Sequence, residues 1–428
     1  MSRSKKAKSD GGSSGFKSYW TLGALLIGLA LGAWAEGAPS GLRSSTLSIA
    51  GFIGTLWLNA LKMTVIPLVV ALLVVGIAKS REAAMAGRIA GRSVLWIVIV
   101  CTASAVFGAI AIVVLTRMFP LPRETAAALR SALAGVEQQA SGPLPGIADF
   151  FKGIIPDNVF AAATNGDVLP LVVFSVLFAL ALAYISAPGR RAIVGLFEAI
   201  GDALLVIIAW VLWVAPLGVF ALAYTVGSAA GGSAFAGLGH YVVLISVIGI
   251  LVTLAAYPLA MFVGRVSAGA FSRAMAAPFA VAISTRSSLA SLPAMLTSAR
   301  GMGVREQVAD VALPIAVALY RGTGPAMNTA VAFYVAHWLG YEPSLAQMIA
   351  ATAVGAVMSY GAVSLPGEVS FISSIAPIAM ALGVPIAPLA LLVAVEMIPD
   401  IFRTVGNVTL DVALAAMVDR SVETGSES

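Results

Sequence analysis

Charge is scarce in this chain. Asp, Glu, Lys and Arg make up 11% of its 428 residues, against about 25% in soluble domains. Hydrophobic types reach 60% and mean hydropathy is +0.98, which excludes an ordinary soluble fold. Cysteine is nearly absent. Cys101 stands alone in an apolar run, which excludes a disulfide framework and any cysteine-based metal site; it reads as a core thiol. No metal-ligand cluster is present in the sequence. The only nucleophile-elbow match, "GGSSG" at 11–15, has no strand before it or helix after it, and it reads as flexible linker. An enzyme is therefore the weakest reading, and no cofactor is expected. The net charge of +5 sits in loops and the tail, where it reports membrane topology before nucleic-acid binding.

What the chain has in quantity is long apolar runs. Tyr19–Trp34, Ile49–Ala78, Val94–Leu115, Val168–Ile185, Ala192–Tyr224 and Tyr241–Val263 are the clear ones. They approach or exceed the roughly 18 residues that read as a spanning helix. Lipid offers the backbone no hydrogen-bond partner, so the expected fold is an all-α polytopic membrane bundle. A barrel would show short alternating segments instead.

Basic residues alternate along the loops. The N-terminal tail "MSRSKKAKSD" is basic, Lys79–Arg92 is strongly so, and "APGRR" at 187–191 follows, while 227–239 holds no basic residue. This pattern predicts cytoplasmic N- and C-termini, and it works only if two apolar stretches fail to cross. These are Ser267–Ala299 and Leu345–Pro388, with "STRSSLAS" and "SYGAVSLPGE" at their centres. Each reads as a re-entrant hairpin with a polar tip. Such backbone survives at membrane depth only when buried in protein or lining a cavity. Two hairpins entering from opposite sides suggest an inverted repeat around a midplane site.

The last apolar segment carries the strongest chemical signal. In "EMIPDIFRTVGNVTLD" at 396–411, Glu396, Asp400, Arg403, Asn407 and Asp411 are spaced by four, three, four and four. At helical pitch they form one stripe, with Thr404 at its edge. Such a stripe cannot face lipid. It reads either as an ion-pair lattice between helices or as a substrate cavity. In a cavity, Arg403 offers a fork to a carboxylate, Asp400 can accept an ammonium, and Asn407 can bond a second carboxylate. Those groups match an acidic amino acid. The glycosylation pattern "NVT" at 407–409 has no acceptor role on a buried helix. A second stretch, "ALYRGTGPAMN" at 318–328, places Arg321 beside Gly322, Gly324 and Pro325, residues that disfavour helix.

Together these segments resemble the glutamate transporter family, the dicarboxylate/amino-acid:cation symporters, over nearly the whole chain. The segments that carry the likeness are "LKMTVIPLVVALLVVGIA" (61–78), "APLGVFAL" (215–222), "AISTRSSLASLP" (282–293), "LPGE" (365–368) and "DIFRTVGNVTLD" (400–411). The resemblance implies eight transmembrane helices plus two re-entrant helical hairpins. They would assemble as a homotrimer with a fixed scaffold and a transport domain that moves like an elevator. The expected divisions begin with a disordered tail at 1–17 and mainly scaffold helices at 18–120 and 150–265. The transport core follows at 266–420, with hairpin one at 267–299, a broken helix seven at 306–338, hairpin two at 345–388 and helix eight at 389–418. A tail at 421–428 closes the chain.

By position, the resemblance implies that Arg403 holds the side-chain carboxylate and Asp400 the amine. Thr404 and Asn407 complete the site, and Ser287, Ser288, Arg286 and Gly367 close it from the hairpin tips. Asp411 would be a cation ligand. The sequence departs from the family where sodium binds. The family's Asn-Met-Asp-Gly-Thr break is replaced by Tyr320, Arg321, Gly322, Thr323 and Gly324. Arg321 falls at the Met position, and the Asn and Asp ligands are gone. Ala362 replaces a hydroxyl ligand, Glu368 adds a charge after the second tip, Leu289 replaces a serine of the first tip, and Pro399 precedes Asp400. A hard cation needs several oxygen ligands, so sodium binding is not expected in this vestigial region of Tyr320, Gly322, Thr323 and Asp411.

The reading that follows is a sodium-independent carrier of aspartate- or glutamate-like substrates. Arg321 acts as a built-in cation paired with Asp411, or with Asp400, Glu396 or Glu368. Proton coupling through Glu368, Glu396 or Asp411 is one route, and uncoupled exchange is another. A carrier of C4-dicarboxylates, and an anion channel or ligand sensor, are the rival readings. The expected surroundings are lipid and the prokaryotic inner membrane.

Overall fold

The computed structural model describes residues 11–35, 39–85, 87–122, 124–127, 155–359 and 367–424. The far N-terminus, the segment 128–154, the hairpin-two tip at 360–366 with Ala362, and the end of the C-terminal tail lie outside the described residues. So do the side chains of 367–370, and with them the expected charge of Glu368.

Among the described residues every regular element is helical. In chain order these are α1 (Gly11–Trp34), α2 (Ser40–Met85), α3 (Arg88–Met118), α4 (Val159–Asn165), α5 (Val168–Ala181), α6 (Ala187–Trp213), α7 (Ala215–Ala230) and α8 (Ser233–Pro258). They continue as α9 (Ala268–Thr285), α10 (Ser288–Gly301), α11 (Glu306–Leu319), α12 (Gly324–Leu339), α13 (Leu345–Met358), α14 (Gly367–Leu382), α15 (Ala387–Val395) and α16 (Met397–Thr424). α1 begins at Gly11, so residues 11–17, expected in the tail, extend the first helix. Among the described residues, five segments are long and apolar enough to cross a membrane: Ser40–Glu82, Arg88–Met118, Ala187–Trp213, Ser233–Val263 and Met397–Glu423. Shorter apolar helices fill in the remainder.

The two hairpins expected from the charge alternation correspond to α9–α10 and α13–α14. Each opens on a serine cap. Ser267 Oγ accepts from the Ala270 N–H at 3.3 Å, and Ser344 closes a capping box with Gln347. The first tip turns at Arg286, whose φ of 50° and ψ of 36° are left-handed. That region costs a non-glycine residue about 1 kcal/mol or more, and here it lets Ser287 cap α10 by accepting from the Ala290 N–H. Helix seven is broken as expected. α11 ends at Leu319, Tyr320 is extended, and α12 restarts at Gly324 with Pro325 in its first turn.

Burial separates the helices by role. α12 is buried along nearly its whole length, as is most of α16, whereas α6 is mostly exposed. α3, α8 and α9 to α14 pack around α16 and one another, while α1, α2, α6 and α7 form a second group. In that second group, Trp57 Nε1–H of α2 donates to the Val211 carbonyl of α6 at 2.9 Å.

Candidate functional site

The polar stripe of the last segment is present, but its first member lies at a break. The resemblance implies one continuous helix over 389–418; instead Glu396 stands between α15 and α16. Pro399 accounts for this, because it has no N–H to give the Val395 carbonyl. Glu396 is almost fully buried. Its Oε2 accepts from the Tyr241 hydroxyl of α8 at 2.8 Å, and its Oε1 forms an ion pair with Arg403 Nη1.

Arg403 is held at one corner only. Nη1 meets Glu396 and reaches Asp400 Oδ1 at 3.5 Å. Among the described residues, Nε and Nη2 are buried without a protein partner. Those two nitrogens form one edge of the guanidinium, the edge that grips a carboxylate with two parallel bonds. A buried, desolvated donor pair is costly unless something binds it. From the first hairpin tip, Arg286 Nη1 lies 4.0 Å from Asp400 Oδ2. The left-handed turn thus delivers a second cation to the stripe.

The helix-seven break is fastened from two sides. Asn407 Oδ1 accepts from the Thr323 N–H at 2.9 Å, and Ser104 Oγ of α3 donates to the Gly322 carbonyl at 2.5 Å. Asp411 lies deeper on α16, fully buried, with neither carboxylate oxygen hydrogen-bonded. The charge of Arg321 acts on both Asp411 and Asp400. Cys101 is buried against this same break, near the Arg321 backbone N–H.

Arg321 and Arg403 line one cavity of about 10 Å³, room for roughly one water. Asn328 and Gly324 of α12 and Ser359, Phe371 and Ser374 of hairpin two complete its wall. Of the residues singled out from sequence, Arg403, Asp400, Arg286 and Glu396 come together directly, and Arg321 and Asp411 adjoin them. Asn407 gives only its Oδ1 to the helix break; a carboxylate would take its Nδ2–H donors. The Thr404 hydroxyl bonds the Asp400 carbonyl on its own helix at 2.9 Å. Ser287 serves as a cap, and Ser288 opens α10 half-buried beside it. Gly367 opens α14, with its surroundings outside the described residues. Tyr241, Ser104, Ser359 and Ser374 carry no local pattern that marks them. Only Ser359 falls within the polar centre that flagged hairpin two. His240 is a fastener, meeting the Tyr334 hydroxyl at 2.9 Å and the Phe119 carbonyl at 2.8 Å.

An apolar chain, helical in every described element, with ionisable side chains gathered at an internal cavity belongs to the class of multi-pass membrane proteins with an interior polar site. Residues 18–421 match the sodium:dicarboxylate symporter family, and the chain belongs to that family of carriers. It is 29% identical to the proton/sodium-glutamate symport protein of Bacillus subtilis, over 86% of this chain and 84% of that one. It is 26% identical to the proton/glutamate-aspartate symporter of Escherichia coli, over 92% and 90%. It is 28% identical to the C4-dicarboxylate transport protein 2 of Ralstonia nicotianae, over 90% and 84%.

Proposed function

We propose that this protein is a sodium-independent secondary transporter of acidic amino acids, working by an elevator mechanism on an eight-helix, two-hairpin, trimeric fold. The observation that carries the ion assignment is charge balance. Among the described residues of the site, Glu396 and Asp400 pair with Arg403, Arg286 lies beside Asp400, and the charge of Arg321 acts on Asp400 and Asp411. Three carboxylates meet three guanidiniums, so no positive charge is missing for a bound cation to supply. Arg321 cannot deprotonate; it stands at the break as a permanent cation. Two groups that could ligate sodium there, the Gly322 carbonyl and Asn407, are already hydrogen-bonded.

The substrate's distal carboxylate docks on the Nε–Nη2 edge of Arg403, and Asp400 receives its ammonium. A cavity of one water must expand to admit it. Much of its wall belongs to hairpin two, whose displacement opens the site. Glu396 competes with substrate for Arg403. A proton on Glu396 weakens that competition, which gives proton coupling a physical route. The groups facing Glu396 are Arg403, Asp400 and Tyr241. One contact favours C4-dicarboxylates as a second reading: Arg286 lies close enough to Asp400 to occupy it, leaving the two cavity arginines for two carboxylates.

Uptake of radiolabelled aspartate, glutamate and succinate into proteoliposomes decides between these readings, with sodium and proton gradients imposed separately. The expected result is accumulation of aspartate or glutamate without sodium, lost in Arg321→Met. Strict sodium dependence overturns the built-in cation. Uptake of succinate that aspartate and glutamate do not inhibit overturns the amino-acid assignment.

A further inference from the structure

A second cavity shares no lining residue with the first. It has a volume of about 460 Å³ and sits where α2 ends and α6 begins, beside the end of α5. Lys79, Arg81, Arg190 and Arg191 line it, against Glu82 and Glu198. Four cations against two acids leave an excess of two positive charges. Lys79 is paired with Glu198 at 2.7 Å. Arg81 donates to the Leu180 carbonyl at 3.1 Å and stacks over the Tyr184 ring at 5.2 Å from its centroid. Arg190 Nε is buried with no hydrogen-bond partner. Arg190 closes the first turn of α6 and Arg191 follows it, so the N-terminal dipole of that helix adds to the positive field.

The walls place this basin at one membrane boundary. The α2 span ends at Glu82 and the α6 span starts at Ala187, so both spans leave the membrane here. Moving from the basin into the spans, Leu177 on α5 and Leu196 and Ile200 on α6 are exposed. Phe178 of α5 meets Phe197 of α6 edge to face, so those three exposed side chains form an apolar face that flanks the cationic basin. A free anion would use only the basin; a molecule with a phosphate at one end and hydrocarbon at the other uses both. We propose that this cavity binds the headgroup of an anionic phospholipid, with its phosphodiester at Arg190 and Arg191 and its acyl chains along α5 and α6.

Native mass spectrometry of the full-length protein in detergent, titrated with phosphatidylglycerol or phosphatidylcholine, tests this. Phosphatidylglycerol should bind more tightly than phosphatidylcholine. Arg190→Gln with Arg191→Gln should lower its affinity about fivefold per arginine, from roughly 1 kcal/mol for each basic residue at a membrane surface. Glu198→Gln, which frees Lys79, should raise the affinity, a gain that a folding defect cannot mimic. Equal binding of both lipids, or a double variant that binds phosphatidylglycerol as wild type does, overturns the proposal. Full competition by inorganic phosphate or glycerol phosphate at the lipid's own concentration assigns the basin to a free anion and overturns it too. A shift in oligomeric mass in the double variant with unchanged lipid binding marks the face as a contact between copies, with the same consequence.

Discussion

Arg403 is the residue on which recognition turns, because it is gripped at one corner and open along one edge. Its Nη1 meets Glu396 and Asp400, whereas Nε and Nη2 are buried without a partner among the described residues. Lysine would preserve the charge, but it presents a single ammonium where two parallel donors are needed. Arg403→Lys should therefore raise KM for the acidic substrate about tenfold to a hundredfold, the equivalent of one hydrogen bond to a charged group. The comparison is made in proteoliposomes at equal protein incorporation. An unchanged KM would place the substrate carboxylate elsewhere, with Arg321 the next candidate. The stripe that contains Arg403 was readable because helical pitch is regular: five polar residues at intervals of four, three, four and four can share only one face. Its partners were not readable in the same way. Tyr241 meets Glu396 across 155 residues of chain and Ser104 meets Gly322 across 218, and one sequence holds no local signal for contacts at such separations. Asn407 shows the limit from the other side. Its position on the stripe was legible, but the bond that its Oδ1 accepts from the Thr323 N–H was not.

Helix breaks matter as much as helices in the way the elements are arranged. Glycine and proline marked the break at 320–323, and a polar Ser/Gly/Pro centre marked each hairpin, since these residues act through local backbone preference. The break at Glu396 followed the same local rule through Pro399, although the stripe alone suggested a continuous helix. What composition could not show is how closely α3 approaches α12. A Cβ at Gly108 of α3 would run into the Ala326 backbone of α12. Four residues earlier on the same helix, Ser104 fastens the Gly322 carbonyl. Gly108→Ala should therefore force α3 outward, lowering the thermal midpoint in detergent by an overpacking cost of about 1–3 kcal/mol and loosening the break with it. Gly51→Ala on α2, where a Cβ meets nothing within 4 Å, serves as the control and should leave the midpoint unchanged or slightly higher. If Gly108→Ala is as harmless as Gly51→Ala, the α3–α12 contact does not hold the break in place.

The whole molecule divides into the helices that surround α16 and the group of α1, α2, α6 and α7. An elevator requires each group to keep its internal geometry while one slides past the other. The second group is tightly joined by small residues: a Cβ at Gly28 of α1 would sit 2.9 Å from Ala223 Cβ of α7, and one at Gly201 of α6 would sit 3.8 Å from Ala71 Cβ of α2. The latter spacing falls within the range that a disulfide spans. Cys101 is buried in the other group, so it does not compete for the new thiols. Ala71→Cys with Gly201→Cys should form a bridge on oxidation and still take up substrate at about the wild-type rate, because the proposed elevator requires α2 and α6 to move as one unit. Uptake that stops on oxidation and returns with a reductant would mean that α2 and α6 move against each other during transport. That result would replace the sliding of one rigid group past another with a rocking motion inside the outer helices.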